Sequence, residues 1–314
     1  MIALGGNAFQ TRGQRGYPEE YWSNARHAAR AVVEAVKRGY RVVVTHGNGP
    51  QVGAILEWME AGKDRAPPMT MDIANAMTQG WLGYILMQSI RNELAKEGLL
   101  GSKVRGVVAI VNQVVVDRND PAFSNPTKFV GPYYNEEEAK KLMEERGWIM
   151  KPDPRGGWRR VVPSPQPLYN VEWEAVKLLV DSGWIVIASG GGGVPVVEEN
   201  GFLRGVEAVI DKDLSSEVLA TALGVGILII LTDVEYVYVD FGKPSARPLR
   251  VVSVDELEEL YRAGHFPPGS MGPKVLAAIR FVRRGGLEAR IGHLHRAVEV
   301  IEGVSGTRII PSSR

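Results

Sequence analysis

Three lysines have neighbouring residues that favour the binding of an anion. Lys128 lies in the string NPTKFVGP, Lys212 lies between two aspartates in VIDKDLSSE, and Lys274 directly follows the turn GSMGP. Lys212 and Lys274 open predicted helices, where the positive end of the helix dipole disfavours a cation. A bound anion would explain this placement, although each lysine taken alone also fits an ordinary solvated position. The lysines therefore indicate phosphate or carboxylate chemistry only in combination with other features.

Two aspartates accompany these lysines. Asp213 directly follows Lys212 and would either orient the lysine side chains by ion pairing or cap the helix predicted over residues 214–223. Asp233 follows the apolar run 227–231 in LTDVEYVY and would contact a nucleotide or a magnesium ion, or else form a turn. The sequence leaves both pairs of alternatives open.

Glycine clusters follow three predicted strands. In open α/β sheets, ligands bind beyond the carboxyl ends of the strands. Glycine lets the backbone approach a ligand and turn its N–H groups towards an anion, and a following helix adds the positive end of its dipole. One such turn is common after any strand, but three turns, two with an asparagine that can donate amide hydrogens, predict a substantial phosphate or carboxylate site. The clusters are Leu4-Gly5-Gly6-Asn7, Thr45-His46-Gly47-Asn48-Gly49-Pro50 and Ala188-Ser189-Gly190-Gly191-Gly192-Gly193.

Other familiar site chemistries find little support. No G-x-x-x-x-G-K-[ST] string occurs, and the run from Gly47 to Gly53 has one residue too many for G-x-G-x-x-G, so a Rossmann dinucleotide site is only an alternative. His293 and His295 alternate near a strand end without an evident third metal ligand. No G-x-S-x-G string or Ser-His-Asp order indicates a hydrolase. The absence of cysteine excludes thiol nucleophiles, disulfides and cysteine-ligated zinc.

Bulk composition limits the partners. A formal net charge of +1 provides no broad basic field for nucleic acid. The length of 314 residues favours two lobes, because single cores stop growing at roughly 250–300 residues. The start, MIALGGNAF, lacks the features of a signal peptide, and the apolar runs are shorter than the about 20 residues that a membrane span needs. We expect a cytoplasmic protein without nucleic-acid or membrane partners, and the absence of cysteine with many Arg and Glu fits heat adaptation.

The elements that must position these residues alternate between strand and helix. Short apolar runs, typical of strands buried on both faces, occur at residues 2–4, 42–45, 107–111, 184–188, 227–231 and 289–291. Helical patterns occur at residues 21–38, 73–94, 214–223 and 275–284. This alternation predicts βαβ units and a doubly wound α/β sheet.

Residues 117–168, here called the lid segment, break this rhythm. They are rich in Pro, Gly, Arg and aromatic residues, and they contain one predicted short helix at residues 136–146. So long an irregular stretch inside an α/β core is usually an insertion and often covers a site. A passive surface excursion is the alternative.

Eight strings resemble the carbamate kinase family, a branch of the amino-acid kinases, in order along nearly the whole chain. They are ALGGNA, THGNGPQVG, NPTKFVGP, WRRVVPSP, ASGGGGVPV, GVEAVIDKDL, LTDV and GHFPPGSMGPKVLAAIRF. The resemblance implies a homodimer of three-layer αβα sandwiches, each with a mostly parallel, eight-stranded central sheet. It implies an N-terminal lobe (residues 1–205) for carbamate or carbamoyl phosphate, carrying the lid segment, and a C-terminal lobe (residues 206–314) for ATP or ADP. The implied activity is reversible phosphoryl transfer between ATP and carbamate, as in arginine metabolism.

The resemblance also implies roles for individual residues. The lysines would contact the transferring and flanking phosphates, Asp213 would organise them, and Mg²⁺ would ride mainly on the nucleotide phosphates without a metal site of the protein's own. The implied catalytic residues are Lys128, Lys212, Asp213 and Lys274. The implied substrate-binding residues are Gly5, Gly6, Asn7, Gly47, Asn48, Gly49, Ser189, Gly190 and Gly191. The implied nucleotide-binding residues are Lys212, Asp233, Tyr238, Met271, Gly272, Pro273 and Lys274.

This chemistry suits the residues at hand. Carbamate is already an anion, so its attacking oxygen needs no general base, and the barrier is the repulsion between two negatively charged reactants. Fixed cations and backbone N–H groups lower such a barrier by positioning and charge neutralisation. The alternatives are a relative that phosphorylates UMP or a carboxylate such as acetylglutamate, and a non-catalytic sensor of the same fold.

The helix predicted over residues 73–94 is the candidate dimer element. Its pattern sets Met77, Trp81 and Ile85 on one face, and Gly80 and Gly83 would allow a close approach of a second copy. An ordinary core helix is the alternative.

Overall fold

An eight-stranded sheet forms the centre of the computed structural model, which describes residues 1–11, 13–153 and 156–312, with the side chain of Asn7 outside the described part. The helices are α1 (Pro18–Lys37), α2 (Gly49–Gly62), α3 (Met71–Lys96), α4 (Glu136–Arg146), α5 (Trp173–Asp181), α6 (Lys212–Leu223), α7 (Val254–Arg262), α8 (Met271–Arg283) and α9 (Ala297–Glu302). The strands are β1 (Ile2–Leu4), β2 (Val43–His46), β3 (Gly106–Ala109), β4 (Gln113–Val116), β5 (Lys128–Tyr134), β6 (Met150–Pro152), β7 (Trp158–Val162), β8 (Pro167–Asn170), β9 (Trp184–Ile187), β10 (Val194–Glu199), β11 (Phe202–Gly205), β12 (Ile227–Thr232), β13 (Val237–Val239), β14 (Arg247–Leu249), β15 (Val251–Ser253), β16 (Glu288–His293) and β17 (Thr307–Ile310).

The central sheet is mostly parallel, as predicted. Its order is β15-β17-β16-β12-β1-β2-β9-β3, and only the β16–β17 pair is antiparallel. All six predicted apolar runs form strands of this sheet, with bounds shifted by up to two residues. Strands β15 and β17, at one end of the sheet, escaped prediction because strands of three and four residues carry little periodic signal.

Helices cover both faces of the central sheet, because side chains of each strand alternate between two cores. Along β1, Ile2 and Leu4 belong to the core formed with α1, α3 and α9, whereas Ala3 belongs to the core formed with α6, α7 and α8. In β9, Ile185 and Val186 divide in the same way. The predicted three-layer αβα sandwich is therefore confirmed. Since β1, β2, β9 and β12 run parallel, their carboxyl ends and following turns meet at one edge.

Two helices begin earlier than predicted, and both lysines consequently lie inside a first turn. Helix α6 begins at Lys212, because the side chain of Asp211 accepts the backbone N–H of Asp213 at 2.9 Å and caps the helix. The alternative of Asp213 as the cap is therefore wrong. Helix α8 begins four residues before its predicted start at residue 275, so Lys274 is its fourth residue.

The lid segment contains more regular structure than predicted. Helix α4 has the predicted bounds, but a three-stranded antiparallel sheet of order β5-β7-β6 accompanies it. Pro132 and a register shift between Val130 and Tyr134, with Gly131 at φ +72°, mask the alternation that would reveal β5. The last residues of the segment belong to β8, which pairs with β4 in a separate sheet of order β11-β10-β4-β8.

Helix α3 presents a different face to solvent than predicted. Ile85 is buried in the core, and a Cβ at Gly83 would lie 2.9 Å from the side chain of Ala109. Trp81 packs edge-on against Tyr21, so it also faces the protein. The exposed row instead consists of Ile73, Met77, Gly80 and Tyr84. Neither α3 nor any other helix of the described residues is long and apolar enough to cross a membrane.

Candidate active site

Two ammonium groups share one buried carboxylate at the start of α6. The Nζ atom of Lys274 lies 3.1 Å from Oδ2 of Asp213, and Lys212 donates to Oδ1 of the same residue. The side chain of Asp213 is 2% exposed, and those of Lys212 and Lys274 are 12% and 17% exposed. The structure thus joins the first turns of α6 and α8 through three charged side chains held away from water.

The charges of this cluster depend on each other. Burial lowers the pKa of the Lys212 ammonium despite the adjacent Asp213 carboxylate. Burial alone would raise the pKa of Asp213, but the two ammonium groups hold it below its ordinary value. Burial also opposes the charge of Lys274, yet the carboxylates of Asp213 and Asp211 raise its pKa. The buried acid is therefore ionised, and the Lys212 ammonium loses its proton more readily than the Lys274 ammonium.

Lys128 reaches the same helix start from the lid segment. It is the first residue of β5, and its Nζ atom lies 3.5 Å from Oδ2 of Asp211. The Lys128 side chain is 41% exposed, far more than the other two lysines. The three lysines singled out from the sequence are thus gathered around residues 211–213.

The glycine turn at Gly47 packs against the stem of Lys212, and the turn at Gly5 and Gly6 lies beside it. A Cβ at Gly47 would lie 3.2 Å from Cδ of Lys212 and 3.4 Å from the backbone nitrogen of Gly6. A Cβ at Gly5 would lie 3.1 Å from the carbonyl oxygen of Leu231. Larger residues would therefore push the turns and the lysine apart. Asn7 lies in the 3₁₀ turn Gly6–Ala8, but its side chain is outside the described part of the chain.

The third turn packs against Asn48. A Cβ at Gly191 would overlap Nδ2 of Asn48, at 2.1 Å. This amide nitrogen donates to Oδ1 of Asn75 at 2.9 Å and to Oγ1 of Thr78 at 2.8 Å, so its two hydrogens are used inside the protein and not for a ligand. Ser189, at φ +47°, accepts a hydrogen bond from the side chain of Asn170 at 2.8 Å.

Backbone N–H groups remain available where side chains do not. Among the described residues, no acceptor pairs with the N–H groups of Gly6, Gly49, Gly190 and Gly191. Gly49 opens α2, so its N–H also lies at the positive end of a helix dipole. Burial lowers the pKa of the neighbouring His46 to about 4, so this imidazole adds no positive charge. Main-chain donors and lysines therefore supply the positive potential at this edge.

An aromatic cavity of about 290 Å³ adjoins the cluster and is lined in part by Lys274. Asp233, Tyr238 and Met271, three of the predicted nucleotide residues, also line it. Sequence reasoning missed further lining residues that come from separate segments, among them Tyr236, Phe241, Phe266 and Pro267.

Gly272 and Pro273 do not line this cavity, but Gly272 closes the turn that precedes Lys274. The N–H of Gly272 donates to the carbonyl oxygen of Pro267 at 2.8 Å, and a Cβ at Gly272 would lie 2.9 Å from that oxygen. The turn before α8 is therefore closed by a contact that only glycine permits. It sets Lys274 beside both the cavity and Asp213.

The histidines do not form a metal site. His293 accepts the backbone N–H of His295 at 3.1 Å, which is a local turn contact. Within residues 1–11, 13–153 and 156–312, no group of three or more His, Cys, Asp or Glu side chains could hold a metal ion. The functional candidates are thus the lysines, the two aspartates, the turns and the aromatic cavity.

The geometry can be set beside known proteins. The model of the amino acid kinase family matches residues 1–293. The carbamate kinase of Pyrococcus horikoshii is 56% identical over 313 residues, covering 99% of this chain and 98% of that protein. The carbamate kinase of Clostridium perfringens is 44% identical and covers 99% of each. The solved structure of a Giardia lamblia carbamate kinase bound to AMP-PNP is 42% identical, with a TM-score of 0.93 over 99% of this chain and 98% of that chain.

Proposed function

The chain belongs to the amino acid kinase family and has the function of a carbamate kinase, and we propose that phosphoryl transfer takes place where Lys212, Asp213 and Lys274 meet. The observation that carries this placement is the pair of ammonium groups on one buried carboxylate, between glycine turns on one side and an aromatic cavity on the other. An anionic acceptor and a nucleotide polyphosphate would meet at that point.

The reaction would need no proton transfer from the acceptor. An oxygen of carbamate attacks the γ-phosphorus of ATP, the new P–O bond forms as the bond to the β–γ bridging oxygen breaks, and ADP leaves with that electron pair. The negative charge on the transferring group is met by ammonium groups already in place, so little reorganisation accompanies the step. In reverse, the oxygen of ADP attacks carbamoyl phosphate and carbamate leaves.

The acceptor would lie among the glycine turns. The free N–H groups of Gly6, Gly49 and Gly190 suit the oxygens of carbamate or of the transferring phosphoryl group, and Lys212 borders the same space. We place the reacting carbamate between these turns and Lys212. The side chain of Asn48 would act on the substrate only indirectly, by holding the turn at Gly191.

The nucleotide would lie along the opposite side. Tyr238, Phe241 and Phe266 offer apolar walls for a base, and Lys274 connects this cavity with the cluster, where the phosphates would lie. ATP and ADP are the expected nucleotides. Mg²⁺ would be carried mainly by their phosphates, because the described donors near the cavity are single groups such as Asp233 and do not form a cage. When bound, the ion would neutralise charge on the β- and γ-oxygens.

Two lobes and a lid would divide these tasks. We assign residues 1–205 to carbamate and carbamoyl phosphate, residues 206–314 to the nucleotide, and the lid segment to covering the cleft. The contact of Lys128 with Asp211 supports the last assignment, because it sets a lid side chain against the catalytic helix.

A homodimer is part of the proposal. Ile73, Met77 and Tyr84 form a row on α3 with 43%, 46% and 53% exposure, and Gly80 lies between them. So regular an apolar row on one helix suits contact with a second copy of the chain. Light scattering should give twice the chain mass at micromolar concentration, and Met77→Glu should give one chain mass. A monomeric wild-type protein would contradict the dimer.

Cytoplasmic location and heat stability complete the proposal. The use of ATP supports the first. A network of surface ion pairs supports heat stability. Arg38 contacts both Glu34 and Glu302, and Lys37 contacts Glu97. Unfolding followed in low and in high salt would test it, because screening weakens exposed networks.

The decisive experiment starts from carbamoyl phosphate. The protein is mixed with ADP, Mg²⁺ and carbamoyl phosphate, and ATP is measured, with acetyl phosphate and acetylglutamyl phosphate as comparators. We expect ATP from carbamoyl phosphate at a rate well above both comparators. A preference for either comparator would overturn the acceptor, and no ATP from any of them would overturn the kinase activity.

A further inference from the structure

We propose that Asp211 is a second positioning carboxylate, which holds the lid lysine Lys128 over the start of α6. Asp213 does the same for Lys212 and Lys274 in the interior. The inference rests on the proposed function, because it gives Lys128 its task at the transferring phosphoryl group. It adds a residue that the sequence suggested only as a neighbour of Lys212.

The two oxygens of Asp211 perform different tasks. Oδ1 accepts the backbone N–H groups of Asp213 at 2.9 Å and Leu214 at 3.4 Å, so it caps α6. Oδ2 lies 3.5 Å from Nζ of Lys128. The cap fixes the carboxylate on the helix that carries the catalytic cluster. The free oxygen then offers the lid lysine a docking point of fixed position.

Lys128 needs such a docking point. Among the described residues, Asp211 is the only acid within ion-pair distance of its ammonium group. The strand that carries it packs on α2, in part through Val130, which joins a cluster with Val52 and Ile55. Open clefts of about 600 and about 670 Å³ flank this contact, and Gly131 lines both. This packing fixes the backbone of the strand, but it leaves the tip of a long, half-exposed lysine poorly defined without a charged partner.

Asp211 also acts on the other two lysines. Its charge contributes to raising the pKa of Lys274 and works against the lowering of the pKa of Lys212. Three ammonium groups are thus balanced by two carboxylates before a substrate arrives. A phosphoryl group carries more negative charge than one carboxylate, so it can draw Lys128 from Asp211 without a large displacement.

The test uses Asp211→Asn, which keeps an oxygen for the helix cap but removes the charge. ATP formation from carbamoyl phosphate is measured at neutral pH, together with thermal unfolding. We expect kcat to fall about tenfold. This is more than the small effect of losing an exposed ion pair and less than the ~10²-fold loss of rate that a 1 Å misplacement of a reacting group causes. KM for ADP and the unfolding temperature should stay at wild-type values. Asp211→Ala should add a lower unfolding temperature, because it also loses the cap.

A double-mutant cycle shows whether the effect passes through Lys128. In a Lys128→Met background, Asp211→Asn should cause a much smaller loss of kcat, because only its weaker action on Lys212 and Lys274 remains. The matched control is Glu60→Gln, which breaks a lid–body ion pair, with Arg146 at 2.6 Å, away from the cluster. It should leave kcat unchanged.

Three results would overturn the inference: a wild-type kcat for Asp211→Asn, an equal loss in both backgrounds, or an equal loss in Glu60→Gln. None of these would touch the proposed function, which fails only if the wild-type enzyme makes no ATP from carbamoyl phosphate.

Discussion

Lys212 and Lys274 reach the cleft from helices packed on the central sheet, whereas Lys128 reaches it from a small sheet outside that core. The first two side chains are 12% and 17% exposed and share a carboxylate that is 2% exposed. The third is 41% exposed and pairs with an acid that is 17% exposed. The same side-chain type is thus presented once by a rigid, buried arrangement and once by a peripheral, hydrated one.

This difference matters because electrostatic interactions strengthen as water is removed. A buried ammonium needs no reorganisation when charge develops on the phosphoryl group, but it depends on its counter-ion to stay protonated. An exposed ammonium keeps its charge easily but must be brought into position. We therefore expect the buried lysines to be intolerant of any change and the lid lysine to tolerate substitution by another cation.

The largest effect is expected for Lys212→Met. It removes the buried cation beside the glycine turns, so kcat should fall at least about 10³-fold, the scale found for cations that stabilise phosphoryl transfer. Asp213 keeps Lys274 as a partner, so the fold should survive. Circular dichroism and thermal unfolding verify the fold, and turnover is measured as ATP formation. A turnover near that of wild type would show that Lys212 takes no part in the mechanism. The comparison between buried and exposed lysines would then fail as well.

The next largest effect is expected for Asp213→Asn. Its kcat should be lower by about 10²-fold, which is the loss found when one preorganised electrostatic contact is removed. Its charge raises the pKa of Lys274 and supports that of Lys212, so its removal lowers both. In the proposed mechanism protonated lysine is the active form, so activity should be lost as pH rises through its pKa. In the wild type, the loss of kcat/KM with rising pH should therefore occur at a pH below 10.5, the ordinary pKa of lysine. In the variant, this loss should occur at a still lower pH. A basic limb at the same pH in both proteins would contradict this coupling.

The central sheet and the buried half of the site could be predicted from sequence because their signals are local. Short sequence features each indicate a strand end or a helix start. They are the apolar run before Gly5, the asparagine between Gly47 and Gly49, and the string around Lys212. Once strands are parallel, their following turns must share one edge, so the meeting of these residues follows from topology.

The rest depends on contacts between distant segments. The pairing of Lys128 with Asp211 is set by how β5 seats on α2, and nothing around either residue encodes that distance. The aromatic cavity likewise combines Tyr236 and Phe241 with Phe266, which come from separate segments. Asn48 shows the opposite failure: its amide looked available to a ligand, but Asn75 and Thr78 occupy both hydrogens.

Lys128 offers the direct test of the contrast between buried and exposed lysines. Lys128→Met should lower kcat by about 10²-fold, as for one lost charge contact. Lys128→Arg should recover most of this loss, because an exposed side chain has room for a guanidinium. Lys212→Arg should recover nothing, because the stem of Lys212 is buried and already lies against Gly47. Equal rescue at both positions would show that burial does not distinguish the two lysines.

The smallest effect is expected on the proposed nucleotide side, where two walls of the aromatic cavity are joined by a partly exposed pair of side chains. Nδ1 of His265 lies 3.5 Å from Oδ1 of Asp240. In the sequence, His265 directly precedes Phe266 and Asp240 directly precedes Phe241, and both phenylalanines line the cavity. Side-chain contacts near the surface contribute about 0.2–1 kcal/mol, so His265→Ala should raise KM for ADP about two- to fivefold without changing kcat. Lys243→Met removes another partner of Asp240 without touching the opposite wall, so it should leave KM unchanged. A loss of kcat in His265→Ala would mean that the cavity walls act on the lysine cluster and not only on the nucleotide.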